Sequence, residues 1–377
     1  MPAPFHICFT FLGDIQYDSR LSRCVKTLSS RGFQVSVLAA TEKSERRLFR
    51  GANIRSFSVP PGAGGKFRFL LFYLKALWPA LRANADCYFA SDLYSLPVAY
   101  LAAKLRRAKL IYDSRELYSS IAALQDRLHT QRFWSYIESK TIRCTSIVFT
   151  VNDALAESIS KRYSIAKPTT LLNCPPKRAV QKSDHLRTIL PIPPGPKILL
   201  YQGGLQQGRG IRIMLSAIRR LSNAVLVLMG NGNLKIEILE TIKREGLGMK
   251  VFLIDAVPVD DLLEYTASAD VGLCLIENYG ESYYHSLPNK LFEYVAAGVP
   301  VVASNFPEIG RFVELNRVGL CVDPEKEDEI VTAIQRLMTD ADLHKTFVHH
   351  CEETASRYTW ENESLKLVEA IENLLKQ

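Results

Sequence analysis

The sequence contains no run of roughly 18 or more uncharged apolar residues, the length a membrane-spanning helix needs, so it reads as a soluble globular chain. Nor does it open like a secreted protein: MPAPFHICFTFLGD lacks a basic start, and ICFTFLG reads better as a first core strand than as a signal peptide. The eight cysteines form no CxxC pair. Cys8, Cys144, Cys274 and Cys321 sit in or beside apolar, strand-like runs, as small core residues do in a reducing compartment, and a cytoplasmic location is expected. Zinc-ligand spacing, a recognition-helix signature and an RNA-binding aromatic motif are all missing, which puts nucleic acid last among partners. Short-period repeats and low-complexity tracts are also absent. His344, His349 and His350 near Cys351 lie on an amphipathic stretch that suits solvated histidines, and Asp340 to Asp342 reads as a helix N-cap. No metal and no cofactor are expected.

What is present points to two domains. A chain of 377 residues is too long for one ordinary core, and 47% hydrophobic with 23% charged residues is a globular balance. The net charge of +8 favours an anionic partner, either a phosphorylated small molecule or an acidic membrane surface.

Short apolar runs alternate with amphipathic stretches. HICFTFLG, QVSVLAA, NIRSFSV, DCYFASD, KLIYDS and TSIVFTVN read as strands, with helices over Ser19 to Arg31, Lys66 to Ala83, up to Arg107, and around Trp134 to Arg143. A polar, proline-rich stretch, KRAVQKSDHLRTILPIPPGPK, marks a linker. Alternation resumes with KILLYQGG, AVLVLMGNG, KVFLIDAV, DVGLCLIEN, PVVASN and GLCVD, and ends on a helix from Trp360 to Lys376. The divisions expected are 1–176, a linker over 177–196, 197–358 and a terminal helical segment, 359–377. Strand and helix alternation implies crossover connections and two doubly wound, Rossmann-like parallel sheets, with ligands beyond the carboxyl ends of the strands.

The stretch Glu281 to Ser304, ESYYHSLPNKLFEYVAAGVPVVAS, reads as loop, helix, turn and buried strand. Pro288 fits the first helical turn, Ser286 is the N-cap candidate, and Gly298 with Pro300 ends the helix. Glu293 stands out as a carboxylate among apolar neighbours and needs a partner. A sugar diol bound by Glu293 with a phosphate at Lys290 fits; so does a pair with Lys290, or backbone N–H groups from a loop. YQGGLQQGRG, Tyr201 to Gly210, is a second candidate, where Gly203 and Gly204 let backbone approach a ligand and Arg209 can bind phosphate. MGNGN, with Gly230, is a weak GxG turn that needs no ligand to explain it.

These motifs resemble those of the family-four glycosyltransferases. FEYVAAGVPVVAS follows the family's donor motif, a Glu, seven residues, a second Glu and GxPVVAS, with Glu293 at the second Glu and His285 where the first is expected. SLPNKLFEY is similar to a subset in which that first Glu is replaced. YQGGLQQGRG resembles the donor-phosphate element, with Arg209 at its basic position and Gly204 where many members carry a second Arg. YDSRELY is similar to the family's YDSHE variant, with Arg115 at the His. The resemblance implies the GT-B fold, two such domains facing a cleft. It also implies a donor site of Gly203, Gly204, Gly230, Ser286, Leu287, Asn289, Leu291 and Glu293, and catalytic roles for Arg209, Lys290 and His285. Gly13, Asp14, Arg115 and Glu116, which end first-domain strands, are the acceptor candidates; a surface ion pair is the bland reading of Arg115.

The expected activity is transfer of a sugar from a nucleotide-sugar to a hydroxyl acceptor, with retention of configuration. Two rivals are a non-hydrolysing nucleotide-sugar epimerase and a catalytically silent, donor-binding partner subunit. The basic, aromatic segment Lys66 to Arg82, KFRFLLFYLKALWPALR, packs on its sheet or lies on an anionic membrane at the cytoplasmic face, where it would present a lipid-linked acceptor.

Overall fold

A computed structural model describes residues 4–41, 46–59, 65–116 and 128–376. The chain divides into two compact units, Met1–Asn173 with Glu363–Gln377, and Cys174–Asn362.

The first unit is built on β1 (His6–Phe11), β2 (Gln34–Thr41), β3 (Arg46–Phe49), β4 (Ala52–Ser58), β5 (Cys87–Ala90), β6 (Lys109–Ser114), β7 (Ile147–Thr150) and β8 (Thr169–Thr170). Their order is β3-β4-β2-β1-β5-β6-β7-β8, parallel throughout except for β3 on β4. β3 is a difference from the sequence reading, which counted NIRSFSV alone at this edge. Arg50 and Gly51 both take positive φ, and that tight reversal folds β3 back on β4. The central strands are apolar on both faces, as a sheet covered by helices on each side requires.

The second unit carries β9 (Lys197–Gln202), β10 (Ala224–Met229), β11 (Val251–Ile254), β12 (Val271–Cys274), β13 (Val301–Ser304) and β14 (Gly319–Val322), all parallel, in the order β11-β10-β9-β12-β13-β14. The chain winds outward from β9 through β10 to β11, then returns to β12 on the other side. The point where winding reverses, between the carboxyl ends of β9 and β12, is where such a sheet leaves a crevice.

The stretch read as linker, 177–196, contains a short helix, His185–Ile189, tied to its own unit by Ser183 N–H donating to Ala267 O (3.2 Å) and Leu186 N–H donating to Ser268 Oγ (3.2 Å). The last helix runs Trp360–Leu375.

Candidate active site

Two glycine-rich turns, after β9 and after β10, press against each other. Gly203 has φ +132° and donates its N–H to Met229 O at 2.9 Å. Gly230 has φ +150°, and a Cβ there would stand 1.9 Å from Gly203 O; one on Gly232 would stand 2.2 Å from Leu205 O. The GxG of MGNGN thus lets one backbone turn press against another, so its glycines are explained by packing. Gly210, φ +71°, lies against Leu275 at the end of β12, where a Cβ would stand 2.0 Å from that carbonyl oxygen.

Arg209 emerges from this turn, its guanidinium 4.5 Å from the centroid of the Tyr283 ring. Lys290 comes from the helix Asn289–Ala296, its ammonium 3.6 Å from the centroid of the Tyr201 ring. The lysine is 7% exposed, and among the described residues its Nζ has no hydrogen-bond partner. Burial pulls its pKa down to about 7; the nearby Arg209 charge acts in the same direction, while Cys274 and Glu293 oppose it. A Cβ on Gly203 would lie 3.4 Å from Lys290 Nζ, so the missing side chain there leaves room beside the cation.

Glu293, one turn further along the helix, is 6% exposed and accepts a hydrogen bond from Gln202 Nε2 at 2.6 Å. Gln202 Oε1 in turn accepts from Thr266 Oγ1 at 2.8 Å. One partner the buried carboxylate required is therefore a side-chain amide at the end of β9. The helix is held to the sheet by Tyr294, which lies over Gly272 and donates its hydroxyl to Leu200 O at 2.8 Å.

The entry to this helix differs from the sequence reading. Pro288 is itself the N-cap, with extended backbone (ψ 139°), and Ser286 Oγ instead donates to Tyr283 O at 2.7 Å. The reason is a short helix, Glu281–Tyr284, in the stretch read as loop, which uses Ser286 to close its own end. Gly298 does end the main helix, in a left-handed conformation with Val299 N–H donating to Tyr294 O (2.9 Å). His285 is half-buried, edge-on to Tyr284 at 5.2 Å. Leu291 is buried, Leu287 half-buried and Asn289 exposed at the helix start. Gly204 accepts the Tyr201 hydroxyl at its carbonyl (2.6 Å).

In the first unit, Gly13 and Asp14 follow β1, and Arg115 and Glu116 follow β6. Arg115 pairs with Asp113 (3.0 Å) and with Asp18, the N-cap of helix Ser19–Ser30. Asp113 also receives Arg20 at 2.6 Å. Burial works to raise the Asp113 pKa, but Arg20 and Arg115 outweigh it and hold the carboxyl below its ordinary value. Arg115 is thus engaged in a largely buried ion-pair network, where the bland reading had a surface pair. The last two residues of YDSRELY lie outside the described residues.

Sequence reasoning brought out Arg209, Lys290 and Glu293, and the structure sets Arg209 and Glu293 within electrostatic reach of Lys290. It missed Gln202, Tyr201, Tyr283 and Arg20. A signal existed for one of them: a glutamine ending a buried strand needs a partner as much as a buried glutamate does. Asp340 caps its helix as read, accepting from Leu343 N–H at 3.0 Å. His344 meets Asp270 O, His350 meets Arg317 O and His349 pairs with Glu353. Among the described residues no group of three or more His, Cys, Asp or Glu is placed to hold a metal ion.

The glycosyl transferases group 1 profile matches residues 182–354, and the glycosyl transferase 4-like domain profile matches residues 18–174. The chain belongs to the GT-B glycosyltransferases of this group. A chitobiosyldiphosphodolichol beta-mannosyltransferase from Debaryomyces hansenii is 23% identical over 65% of this chain and 57% of its own length. The chain spans 42% and 46% of two other curated relatives. Among solved structures, sucrose-phosphate synthase from Thermosynechococcus elongatus superposes with a TM-score of 0.79 at 16% identity, covering 98% of this chain and 99% of that one. HepE from Anabaena, solved in complex with UDP-glucose, gives 0.74 at 16% identity over 97% and 99%. These likenesses establish the fold.

Proposed function

We propose that this chain transfers a hexosyl or related sugar from a nucleoside diphosphate donor to a hydroxyl acceptor, with retention of configuration at the anomeric carbon. The observation that carries the reading is the buried Lys290 ammonium, without a hydrogen-bond partner among the described residues and set beside Arg209 at the reversal point of the second sheet. Two neighbouring cations, one of them buried without a hydrogen-bonded carboxylate, are costly unless an anion binds there, and a diphosphate supplies that anion. Glu293 takes the donor ribose, with Gln202 fixing the carboxylate. As the bond from the anomeric carbon to the diphosphate oxygen breaks, negative charge grows on the leaving phosphate, and Arg209 and Lys290 stabilise it. The acceptor oxygen bonds to the same face of that carbon, and its proton passes to the departing phosphate oxygen. His285 contacts the transferred sugar. Charge neutralisation by two side chains requires no divalent cation, so turnover persists in EDTA.

The acceptor proposed is a lipid-linked glycan or lipid of the cell envelope, met on the cytoplasmic side of a membrane. The dolichol-linked substrate in the name of the Debaryomyces relative supports a lipid-linked acceptor, and eight cysteines all left as free thiols support a reducing compartment. No helix among the described residues is long and apolar enough to cross a membrane.

One observation favours a second reading, a silent donor-binding subunit: Arg115, at the position of the family's His, is locked between Asp18 and Asp113. Donor turnover measured with and without a panel of acceptors separates the readings. Transfer to any acceptor establishes the enzyme, donor binding without turnover gives the silent subunit, and epimerised donor gives the epimerase.

A further inference from the structure

The helix Gly65–Ala83 is apolar on two opposite faces. Phe72, Ala76 and Ala80 point into the core of the first unit and are fully buried. Phe67, Leu70, Leu74 and Trp78 recur every three or four residues, so they share the other face, and they are 55%, 51%, 69% and 61% exposed. Four large side chains in a row make a continuous apolar stripe, which a monomeric surface seldom leaves uncovered. The sequence expectation that this helix either packs on its sheet or meets a membrane is therefore too narrow, because it has a face for each. The Lys66 side chain lies outside the described residues.

A second stripe runs beside the first. Arg68, Lys75 and Arg82 are spaced by seven residues and all exposed. Arg82 lies 5.1 Å from the Trp78 ring centroid, and Lys75 donates to Ser58 O at 2.7 Å. Among the described residues none of the three meets a carboxylate, and the helix carries no acidic residue at all. Arg106 Nε donates to Leu81 O at 2.7 Å, which brings the basic end of helix Leu96–Arg106, also free of acids, against the end of this one.

We propose that this face docks on an anionic lipid bilayer, with the apolar stripe in the headgroup and acyl boundary and the cations on the lipid phosphates. Charge decides between occupants. A second copy of the chain packing on this face by two-fold symmetry would set cationic stripes against each other. Exposed Leu70 and Leu74 gain from hydrocarbon, whereas a nucleic acid would offer them only sugar and phosphate. The proposal rests on the reading above only in making the bilayer the place of the acceptor; binding itself needs no sugar donor.

The test uses the full chain and vesicles of phosphatidylcholine with or without phosphatidylglycerol. Of three tryptophans, Trp134 and Trp360 are buried, so a blue shift of emission on adding vesicles reports Trp78. Expected are co-sedimentation and a blue shift with the anionic vesicles alone, both lost at about 1 M salt, where screening shortens to about 3 Å. R68Q/K75Q/R82Q weakens binding by on the order of 100-fold, from roughly one ion-pair contribution per residue, and L74Q/W78Q abolishes co-sedimentation; both keep the parent circular dichroism. Failure of the parent to bind anionic vesicles, or parent-like binding by both variants, overturns the proposal. A dimer that L74Q/W78Q dissolves, with no vesicle binding by the parent, gives the face to a second copy. If vesicles bind but no donor does, the enzymatic reading fails and the membrane surface stands.

Discussion

The Lys290 ammonium stands over the Tyr201 ring, 3.6 Å from its centroid, and the ring face takes the place of a counter-ion. Among the described residues no carboxylate is hydrogen-bonded to it, so an arriving phosphate displaces none. Because burial sets the free lysine's pKa at about 7, a bound diphosphate must raise it, and binding then takes up a proton. Affinity for a nucleoside diphosphate should fall by about tenfold per pH unit above neutrality, while the parent nucleoside binds with little pH dependence. Titration calorimetry in buffers of different ionisation enthalpy counts the proton; a flat profile for the diphosphate would remove Lys290 from the phosphate site. The sign for stability is the reverse. A lysine with a depressed folded pKa carries its full penalty below about pH 7 and none above the ordinary lysine value. Lys290→Met should therefore raise the melting temperature most at pH 6.

Tyr283 holds Arg209 as Tyr201 holds Lys290. A ring under a guanidinium is worth roughly 0.5–2 kcal/mol, so Tyr283→Leu should weaken diphosphate binding by up to about thirtyfold, leave nucleoside binding alone, and be rescued by Tyr283→Phe. Equal loss for nucleoside and diphosphate would mean that Tyr283 supports the whole turn.

The legible parts of this protein were those written in local pattern. Apolar runs and turn residues gave both sheets, and Arg209, Lys290 and Glu293 stood out as charges in places that need a reason. What stayed hidden depends on partners far apart in sequence. Gln202 and Glu293, or Arg20 and Asp113, meet only when strand order is known. The surface ion pair offered for Arg115 missed Asp18, which belongs to a different element. The misread N-cap has a local cause: a helix of four residues is too short to leave a periodic pattern.

Gly230 and Gly298 make a matched pair for testing the contact between the two glycine-rich turns. Both have positive φ, but a Cβ on Gly298 meets nothing within 4 Å, whereas one on Gly230 meets Gly203 O at 1.9 Å. Gly298→Ala should cost about 1 kcal/mol, the backbone term alone. Gly230→Ala should cost more than twice as much and displace the Gly203 turn, so nucleotide affinity falls with stability. Similar denaturation midpoints for the two variants would show that the turns do not abut.

His285 stands where the resemblance puts the family's first Glu. His285→Ala should depress transfer while leaving nucleotide binding near the parent value, and His285→Glu should restore part of the rate. Parent-like transfer by the alanine variant would make the imidazole a packing group for Tyr284.

The last test concerns the pair on which donor orientation depends. Glu293 is a nearly buried carboxylate whose Oε2 accepts from Gln202 at 2.6 Å, and Gln202 is itself fixed by Thr266 at 2.8 Å. Replacing the amide with Leu removes a hydrogen bond to a charged group, worth about 1.5–3 kcal/mol, and takes one partner from a buried carboxylate. Its pKa must then rise, since burial favours the neutral form. The loss of stability in Gln202→Leu should thus be largest at neutral pH and shrink as the pH falls and Glu293 takes a proton. Gln202→Glu should be worse than Leu at pH 8, because two carboxylates would share one buried site, and should recover at acid pH when one of them is protonated. Denaturant titrations at pH 5 and pH 8 measure both differences. If Gln202→Leu costs the same at either pH, Glu293 is stabilised by its other surroundings and the amide is not what holds its charge.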